Sequence, residues 1–177
     1  MLAQILALCA THKAYAYYTR GSILKGNTEM NDFQNHAVPA DALVLFGVTG
    51  DLAYKKIFPA LYALARRGVL DVPVIGVAVS PWNLTQLRKH AREAIEKSGE
   101  LDDEQALEHL LSLLGYVSGD YNDPATFTAL KNTLGDACRP VHYLAIPPTL
   151  FATVVIGLGM ADLADQARVI VEKTVRA

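Results

Sequence analysis

Residues 42–53 read Ala-Leu-Val-Leu-Phe-Gly-Val-Thr-Gly-Asp-Leu-Ala, and this stretch decides the fold of the chain. Its first five residues are all apolar, which is typical of a short strand covered on both faces. Two glycines follow, Gly47 and Gly50, and a helical pattern begins at the second of them. A buried strand that runs through a glycine turn into a helix is typical of a parallel α/β fold, and the free N–H groups at such a helix start favour an anion.

The pattern downstream alternates strand and helix. We predict a first helix whose turns are loosened at Pro59 and which ends at Gly68. Later helix starts are predicted at Asn83, Asp102 and Asp123-Pro124, where the residue types suit N-caps. The predicted strands are Leu43–Phe46, Val74–Val79, Tyr116–Gly119, Val141–Ile146 and Arg168–Glu172. Right-handed crossovers between them give an α/β protein with a Rossmann-like, doubly wound parallel sheet.

The N-terminal region differs from the rest. Residues 1–40 show no convincing period, so we predict an N-terminal extension there that is poorly ordered or weakly helical, and a single Rossmann-like domain over 41–177. The apolar start of the extension is compatible with a poor signal peptide. An upstream in-frame extension, with Met30 as the natural start, is the better interpretation because no basic residues precede the apolar run.

Composition argues against several classes of partner. The chain has 177 residues and a net charge of −2, with no long basic block. We therefore expect neither nucleic acid nor an anionic membrane surface as a partner, and no apolar run reaches the roughly 18 residues of a membrane span. Cys9 and Cys138 lie far apart with no metal-ligand spacing around them. Plain thiols, no metal site and a reducing, cytoplasmic location are expected.

The glycine turn has the GxxGxxA spacing of a dinucleotide pyrophosphate site, with Gly47, Gly50 and Ala53 at its three positions. The Thr49 hydroxyl and the amides from Thr49 to Leu52 are candidates to hold phosphate oxygens. Asp51 has two equal interpretations, contact with a cofactor or stabilisation of the helix dipole. A glycine turn that only reverses the chain is the structural alternative.

The end of the second predicted strand bears on the choice of cofactor. It reads Val79-Ser80-Pro81, without the carboxylate that usually holds the ribose 2′-hydroxyl of NAD. The pattern favours NADP and leaves NAD open, because no arginine is present at this point either. Candidate cations from the next helix are Arg88, Lys89 and Arg92. Among the histidines, His142 in the fourth strand is interpreted as a core residue, and His90 and His109 as solvated.

Three segments together resemble the glucose-6-phosphate dehydrogenase family. They are residues 47–62, Tyr143-Leu144-Ala145-Ile146-Pro147-Pro148, and Arg168-Val169-Ile170-Val171-Glu172-Lys173. The resemblance runs from about Ala42 to Lys173 and implies the family's N-terminal coenzyme domain. It implies NADP as cofactor and glucose 6-phosphate as substrate, which the family oxidises to 6-phosphogluconolactone at the entry of the pentose phosphate pathway.

The resemblance also implies roles for single residues. The family's glycine turn binds pyrophosphate, its paired prolines lie beside the nicotinamide, and its lysines bind the sugar phosphate. Lys56 and Lys173 are the implied substrate-binding residues. The candidate cofactor-binding residues are Gly47, Thr49, Gly50, Asp51, Leu52, Ser80, Pro147, Pro148, Phe151 and Lys173.

The sequence departs from the family after Lys173, where it reads Thr174-Val175-Arg176-Ala177. The resemblance places the catalytic histidine and the oligomer interface in a second, α+β domain, which is absent here. We therefore expect no catalytic residue in this chain and no activity from it alone. We also expect a sheet that is incomplete at its C-terminal end, with a bare edge that promotes self-association. The alternative is a free-standing dinucleotide-binding module without dehydrogenase activity.

Overall fold

A computed structural model describes residues 15–19, 22–25 and 39–172 of the chain. Within these ranges the strands are β1 (Tyr15–Thr19), β2 (Ser22–Lys25), β3 (Ala42–Phe46), β4 (Val74–Ala78), β5 (Leu114–Ser118), β6 (Pro140–Leu144) and β7 (Arg168–Glu172). The α-helices are α1 (Phe58–Arg66), α2 (Leu84–Ser98), α3 (Glu104–Leu113), α4 (Pro124–Leu134) and α5 (Phe151–Met160). A π-helical turn, Ala53–Ile57, leads into α1, and a 3-10 turn, Pro148–Leu150, leads into α5.

The strands form one sheet in the order β2-β1-β7-β6-β3-β4-β5. The five strands from β3 to β7 are mutually parallel, and β3 lies between β4 and β6. Leu45 of β3, for example, is in register with Gly76 on one side and Tyr143 on the other. The predicted Rossmann-like parallel sheet is confirmed.

Helices cover both faces of the parallel strands because alternate side chains of each strand point to opposite faces. Leu43 and Leu45 belong to a core with α1, α2 and α3, whereas Val44 and Phe46 belong to a second core with α4 and α5. The sheet is therefore doubly wound. The helix that follows β3 lies on one face of the sheet, and the helix that follows β6 lies on the other.

Strands β1 and β2 correct two expectations. Residues 15–19 and 22–25 are strands rather than weakly helical, which suits their aromatic and β-branched side chains. β1 pairs antiparallel with β7, so the edge expected to be bare beside the last parallel strand is paired. The remaining residues of the predicted extension, up to residue 38, lie outside the described residues, and poor order there stays a prediction.

Helix caps were predicted with one error. Asn83 and Gln86 form a capping box on α2, with reciprocal hydrogen bonds of 2.9 Å, and Asp123 caps α4 just before Pro124. The predicted cap at Asp102 is wrong, because its neighbour Asp103 accepts the hydrogen bond from Ala106 N that caps α3. The carboxylate of Asp102 instead accepts hydrogen bonds from the Tyr62 hydroxyl, at 2.9 Å, and from the Arg66 guanidinium, at 2.5 Å.

The lengths of the helices bear on membrane insertion. In the ranges that the structure describes, we find no helix both long and apolar enough to cross a membrane.

Candidate functional site

The strand order predicts a crevice at the carboxyl ends of β3 and β6. The chain that leaves β3 crosses to the face covered by α1, and the chain that leaves β6 continues into α5 on the opposite face. In open parallel sheets, ligands bind at the carboxyl edge where the connections diverge in this way. The geometry of this edge therefore decides what the protein is able to bind.

Gly47 makes the turn that leaves β3. Its φ of +81° lies in the left-handed region, and a Cβ at this position would stand 2.3 Å from the carbonyl oxygen of Ala145. The Gly47 N–H donates to the carbonyl of Val77, at 2.9 Å. The turn is thus held closely between β4 and the end of β6, at a distance that only glycine permits.

Gly50 prepares the helix start. Its N–H donates to the Gly47 carbonyl at 3.0 Å, and its own carbonyl accepts from Tyr54 N at 3.0 Å. Gly50 is exposed, whereas Ala53 is buried in the core. Because the first N–H groups of a helix have no acceptor within the helix, this arrangement offers donors to an anion in the crevice.

The predicted loosening at Pro59 is confirmed in a specific form. The residues before it, Ala53–Ile57, make a π-helical turn, and Pro59 then sits in the first turn of α1. Proline has no N–H to donate, so the helical hydrogen-bond pattern is interrupted at this residue, where the π-helical turn gives way to α1. Leu52, half-buried, stands at the entrance to the π-helical turn.

Hydroxyl groups link the glycine turn to the end of β4. The hydroxyls of Thr49 and Ser80 lie 3.0 Å apart. The backbone carbonyl of Ser80 accepts hydrogen bonds from the Tyr116 hydroxyl, at 2.6 Å, and from Ser118 Oγ, at 2.9 Å. The predicted site residues Thr49 and Ser80 are therefore brought together, and the segment after β4 is fixed to β5.

Tyr121 is a residue of this edge that sequence reasoning missed. Its hydroxyl accepts a hydrogen bond from Gly47 N, at 2.9 Å, and donates to the Val77 carbonyl, at 3.1 Å. Burial raises the pKa of Tyr121 to about 12, so the phenol stays protonated at neutral pH. Its position three residues after β5 was the available signal, because the carboxyl ends of parallel strands share one edge.

The residues after β6 form the opposite wall of the crevice. Pro147 and Pro148 are exposed, and Leu150 N donates to the Pro147 carbonyl at 2.9 Å as the chain enters α5. Phe151 is half-buried against the core beneath α5. Because Ala145 lies against the Gly47 turn, the residues predicted to lie beside the nicotinamide are next to the residues predicted to bind the pyrophosphate.

The charged candidates lie on the exposed side of the helix start. The Asp51 carboxylate pairs with Lys55 at 2.7 Å, and the ammonium group holds the pKa of Asp51 below its ordinary value. This ion pair places Asp51 on the exposed side of the helix start. A contact between Asp51 and a cofactor stays a prediction. Lys56 is exposed in the π-helical turn. Lys173 lies outside the described residues.

The cations proposed from the helix after β4 make other contacts. Arg88 Nε donates to the Leu111 carbonyl at 2.9 Å, and Lys89 pairs with Glu93 at 3.8 Å. The guanidinium of Arg92 makes ion pairs with Glu104, at 2.7 Å, and with Glu108. Val79, between β4 and Ser80, has 70% of its surface exposed.

Two histidines lie within the packed regions of the protein. His142 is completely buried, with Nε2 3.0 Å from the Leu163 carbonyl, and burial lowers its pKa to about 4. It is confirmed as a core residue. The prediction that His90 is solvated is wrong, because its ring centroid lies 4.8 Å from that of Tyr54 and 5.0 Å from that of Trp82, and its Nε2 atom is buried.

Comparison with known proteins places this edge in a family. The sequence model of the family described as glucose-6-phosphate dehydrogenase, NAD binding domain, matches residues 44–175. A curated relative, glucose-6-phosphate 1-dehydrogenase 1 of Mycobacterium bovis, is 45% identical over 134 residues, which are 76% of this chain and 28% of the relative. The cytoplasmic isoform of glucose-6-phosphate 1-dehydrogenase from Solanum tuberosum is 31% identical over 175 residues, covering 87% of this chain and 33% of that protein.

Solved structures agree with the sequence relatives. A crystal structure of glucose-6-phosphate 1-dehydrogenase from Mycobacterium avium is 47% identical with a TM-score of 0.72, covering 75% of this chain and 29% of that one. A glucose-6-phosphate dehydrogenase in complex with its substrate glucose-6-phosphate is 28% identical with a TM-score of 0.66, covering 75% of this chain and 30% of that one. The chain thus spans about a third or less of the length of these relatives. The matched region is their nicotinamide-dinucleotide-binding domain, and the chain belongs to the glucose-6-phosphate dehydrogenase family.

Proposed function

We propose that this chain binds NADP in the crevice at the carboxyl ends of β3 and β6. The observation that carries the proposal is the Gly47 turn, whose left-handed backbone passes so close to Ala145 that no side chain fits. Such a turn exposes backbone N–H groups and a helix start to a pyrophosphate. Thr49, Gly50, Asp51 and Leu52 would line the pyrophosphate position.

The second wall of the crevice supports a position for the nicotinamide. Pro147 and Pro148 follow β6, and Phe151 begins the helix behind them. In this proposal the prolines and Phe151 flank the nicotinamide ring, whereas Ser80 lies on the adenosine side, after β4. When bound, the dinucleotide supplies the hydride acceptor of the family's reaction.

We further propose that the domain takes part in oxidation of glucose 6-phosphate to 6-phosphogluconolactone. A related dehydrogenase has been solved in complex with glucose-6-phosphate, which supports this anion as the substrate. Lys56, exposed two residues before α1, and Lys173 are the proposed contacts to the sugar phosphate. Positioning of the substrate by such cations contributes to the rate because the reacting hydroxyl must be aligned with the hydride acceptor. We propose no catalytic base among residues 39–172.

The proposed location rests on the name of one relative. The Solanum tuberosum relative is named as a cytoplasmic isoform, which supports a cytoplasmic location for this protein. Homo-oligomers are proposed for the family's full-length enzymes, and self-association for this chain.

Calorimetric titration of the purified chain with NADP tests the cofactor proposal. Gly50→Asp places a carboxylate at the exposed helix start, where it repels the pyrophosphate, and saturable binding should be lost. Gly159→Asp is the matched control, because Gly159 is an exposed helical glycine and a Cβ added there would meet no other atom within 4 Å. Equal binding by wild type and Gly50→Asp, both folded, would contradict the proposed site.

A second titration tests the substrate proposal. Glucose 6-phosphate is added to the NADP-saturated chain, and Lys56→Gln should weaken its binding relative to Lys89→Gln, which changes a lysine of α2. Saturable NADP binding without any response to glucose 6-phosphate would instead support a free-standing dinucleotide-binding module.

A further inference from the structure

The end of β4 carries an exposed apolar side chain where charge would be expected. In dinucleotide-binding sheets of this topology, the strand next to the glycine turn ends near the adenosine ribose, and a carboxylate or an arginine there distinguishes NAD from NADP. β4 is that strand, because it is hydrogen-bonded to β3 along its length. The residue that follows it is Val79, 70% exposed.

The segment that carries Val79 is fixed by its neighbours. Tyr116 and Ser118 donate to the carbonyl of Ser80, and Ser80 Oγ lies 3.0 Å from the Thr49 hydroxyl. Trp82 N also donates to the Ser80 carbonyl, at 2.7 Å. Rearrangement of this segment to bring another side chain to the ribose would break these hydrogen bonds. Val79 therefore stays at the end of the strand.

Two of the three candidate cations of α2 are held on partners in α3, and the third, Lys89, pairs with Glu93 of its own helix at 3.8 Å. Arg88 donates to a backbone carbonyl of α3, and Arg92 pairs with two glutamates of α3. A ribose bound at the end of β4 would meet the neutral side chains of Val79 and Ser80. A hydroxyl both donates and accepts, so it suits a 2′-hydroxyl and a 2′-phosphate alike.

We infer that this site does not discriminate between NAD and NADP and binds both with comparable affinity. The inference rests on the proposed function and concerns its specificity, which is a difference between two affinities. An ionic contact to the 2′-phosphate would favour NADP, and a carboxylate would repel it. Val79 provides neither effect.

The test is calorimetric titration of the chain with NAD and with NADP at about 0.1 M salt, where charges beyond about 10 Å are screened. We expect dissociation constants within about threefold of each other for the wild type, well short of the roughly tenfold that a hydrogen bond to a charged group gives. Val79→Arg should raise the preference for NADP at least tenfold, and Val79→Asp should shift it as far toward NAD, by about the same charge effect. Val79→Gln is the uncharged control and should leave the ratio unchanged. The exposed position keeps all three variants folded, which thermal melting verifies.

Each other result is decisive. A wild-type preference of more than about threefold for either cofactor would overturn the inference while supporting the proposed function. Unchanged ratios in both charged variants would show that Val79 does not face the ribose and would overturn it too. Absence of binding for both cofactors would refute the proposed function and the inference with it.

Discussion

Gly47→Ala should be among the most damaging single substitutions in this protein, and its cost has two separable parts. The first is conformational: alanine at a φ of +81° costs about 1–2 kcal/mol relative to the right-handed region. The second is steric: the new methyl group would lie 2.3 Å from the Ala145 carbonyl oxygen and 2.9 Å from Ile146 Cγ2. Both contacts are well inside van der Waals distance, and one of them is with backbone.

Relief of that contact requires β3 and β6 to separate. Ala145 N donates to the Phe46 carbonyl at 3.0 Å, next to the clash, and Phe46 is in register with Leu144. Forced overpacking of a close contact costs about 1–3 kcal/mol. The two parts together predict a loss of about 2–5 kcal/mol in the free energy of unfolding.

Gly68→Ala is the matched control. Gly68 has a φ of +66°, yet no atom lies within 4 Å of the position of an added methyl group. It should therefore lose only the conformational part, about 1–2 kcal/mol. Urea denaturation followed by circular dichroism measures both variants, and calorimetry measures the NADP affinity, which only Gly47→Ala should reduce. Equal losses of stability in the two variants would refute the steric argument.

Three further changes have defined outcomes. Burial lowers the pKa of His142 from 6.5 to about 4, so between these two pH values His142 is protonated in the unfolded chain and neutral in the folded chain. Because the unfolded chain binds the extra proton, this group should lower the free energy of unfolding by about 3 kcal/mol from pH 7 to pH 4. Urea denaturation at both pH values should show that His142→Phe removes this part, and an unchanged pH dependence would contradict it. Asn83→Ala removes the capping box of α2 and should lower the free energy of unfolding by about 1 kcal/mol. If urea denaturation shows no measurable loss, the cap does not stabilise the helix. Tyr121→Phe should also lower the free energy of unfolding by only about 1 kcal/mol, because Gly47 N keeps the Val77 carbonyl as its acceptor. A loss above about 3 kcal/mol would show that the hydroxyl has a larger role.

The parallel sheet was predictable because its signals are local. The apolar run before Gly47 marked β3, and the cap residues Asn83 and Asp123 marked two helix starts correctly. The error at α3 is also local, because Asp102 and Asp103 both suit an N-cap and only the tertiary contact of Asp102 with Tyr62 decides between them. Short-range patterns give an element's existence more reliably than its first residue.

Contacts between distant parts of the chain were not predictable in the same way. The Tyr121 hydroxyl reaches Gly47 across 74 positions of sequence. The position of Tyr121 after β5 indicates the edge of the sheet on which it lies, but not Gly47 as its partner. His90 lies on a charged helix, yet its ring packs against Tyr54 and Trp82. Pairing of β1 with β7 joins opposite ends of the chain. Each of these depends on which elements the fold brings together, and the sequence pattern of one element does not contain that information.

Hydrogen–deuterium exchange of the chain with and without saturating NADP shows where the dinucleotide binds. In the proposed site it lies across the carboxyl ends of β3, β4 and β6. We predict slower amide exchange in peptides that cover residues 47–53, 79–82 and 146–151, with the rest of the described chain little changed. Saturable binding accompanied by protection elsewhere, and none at the Gly47 turn, would rule out the proposed site.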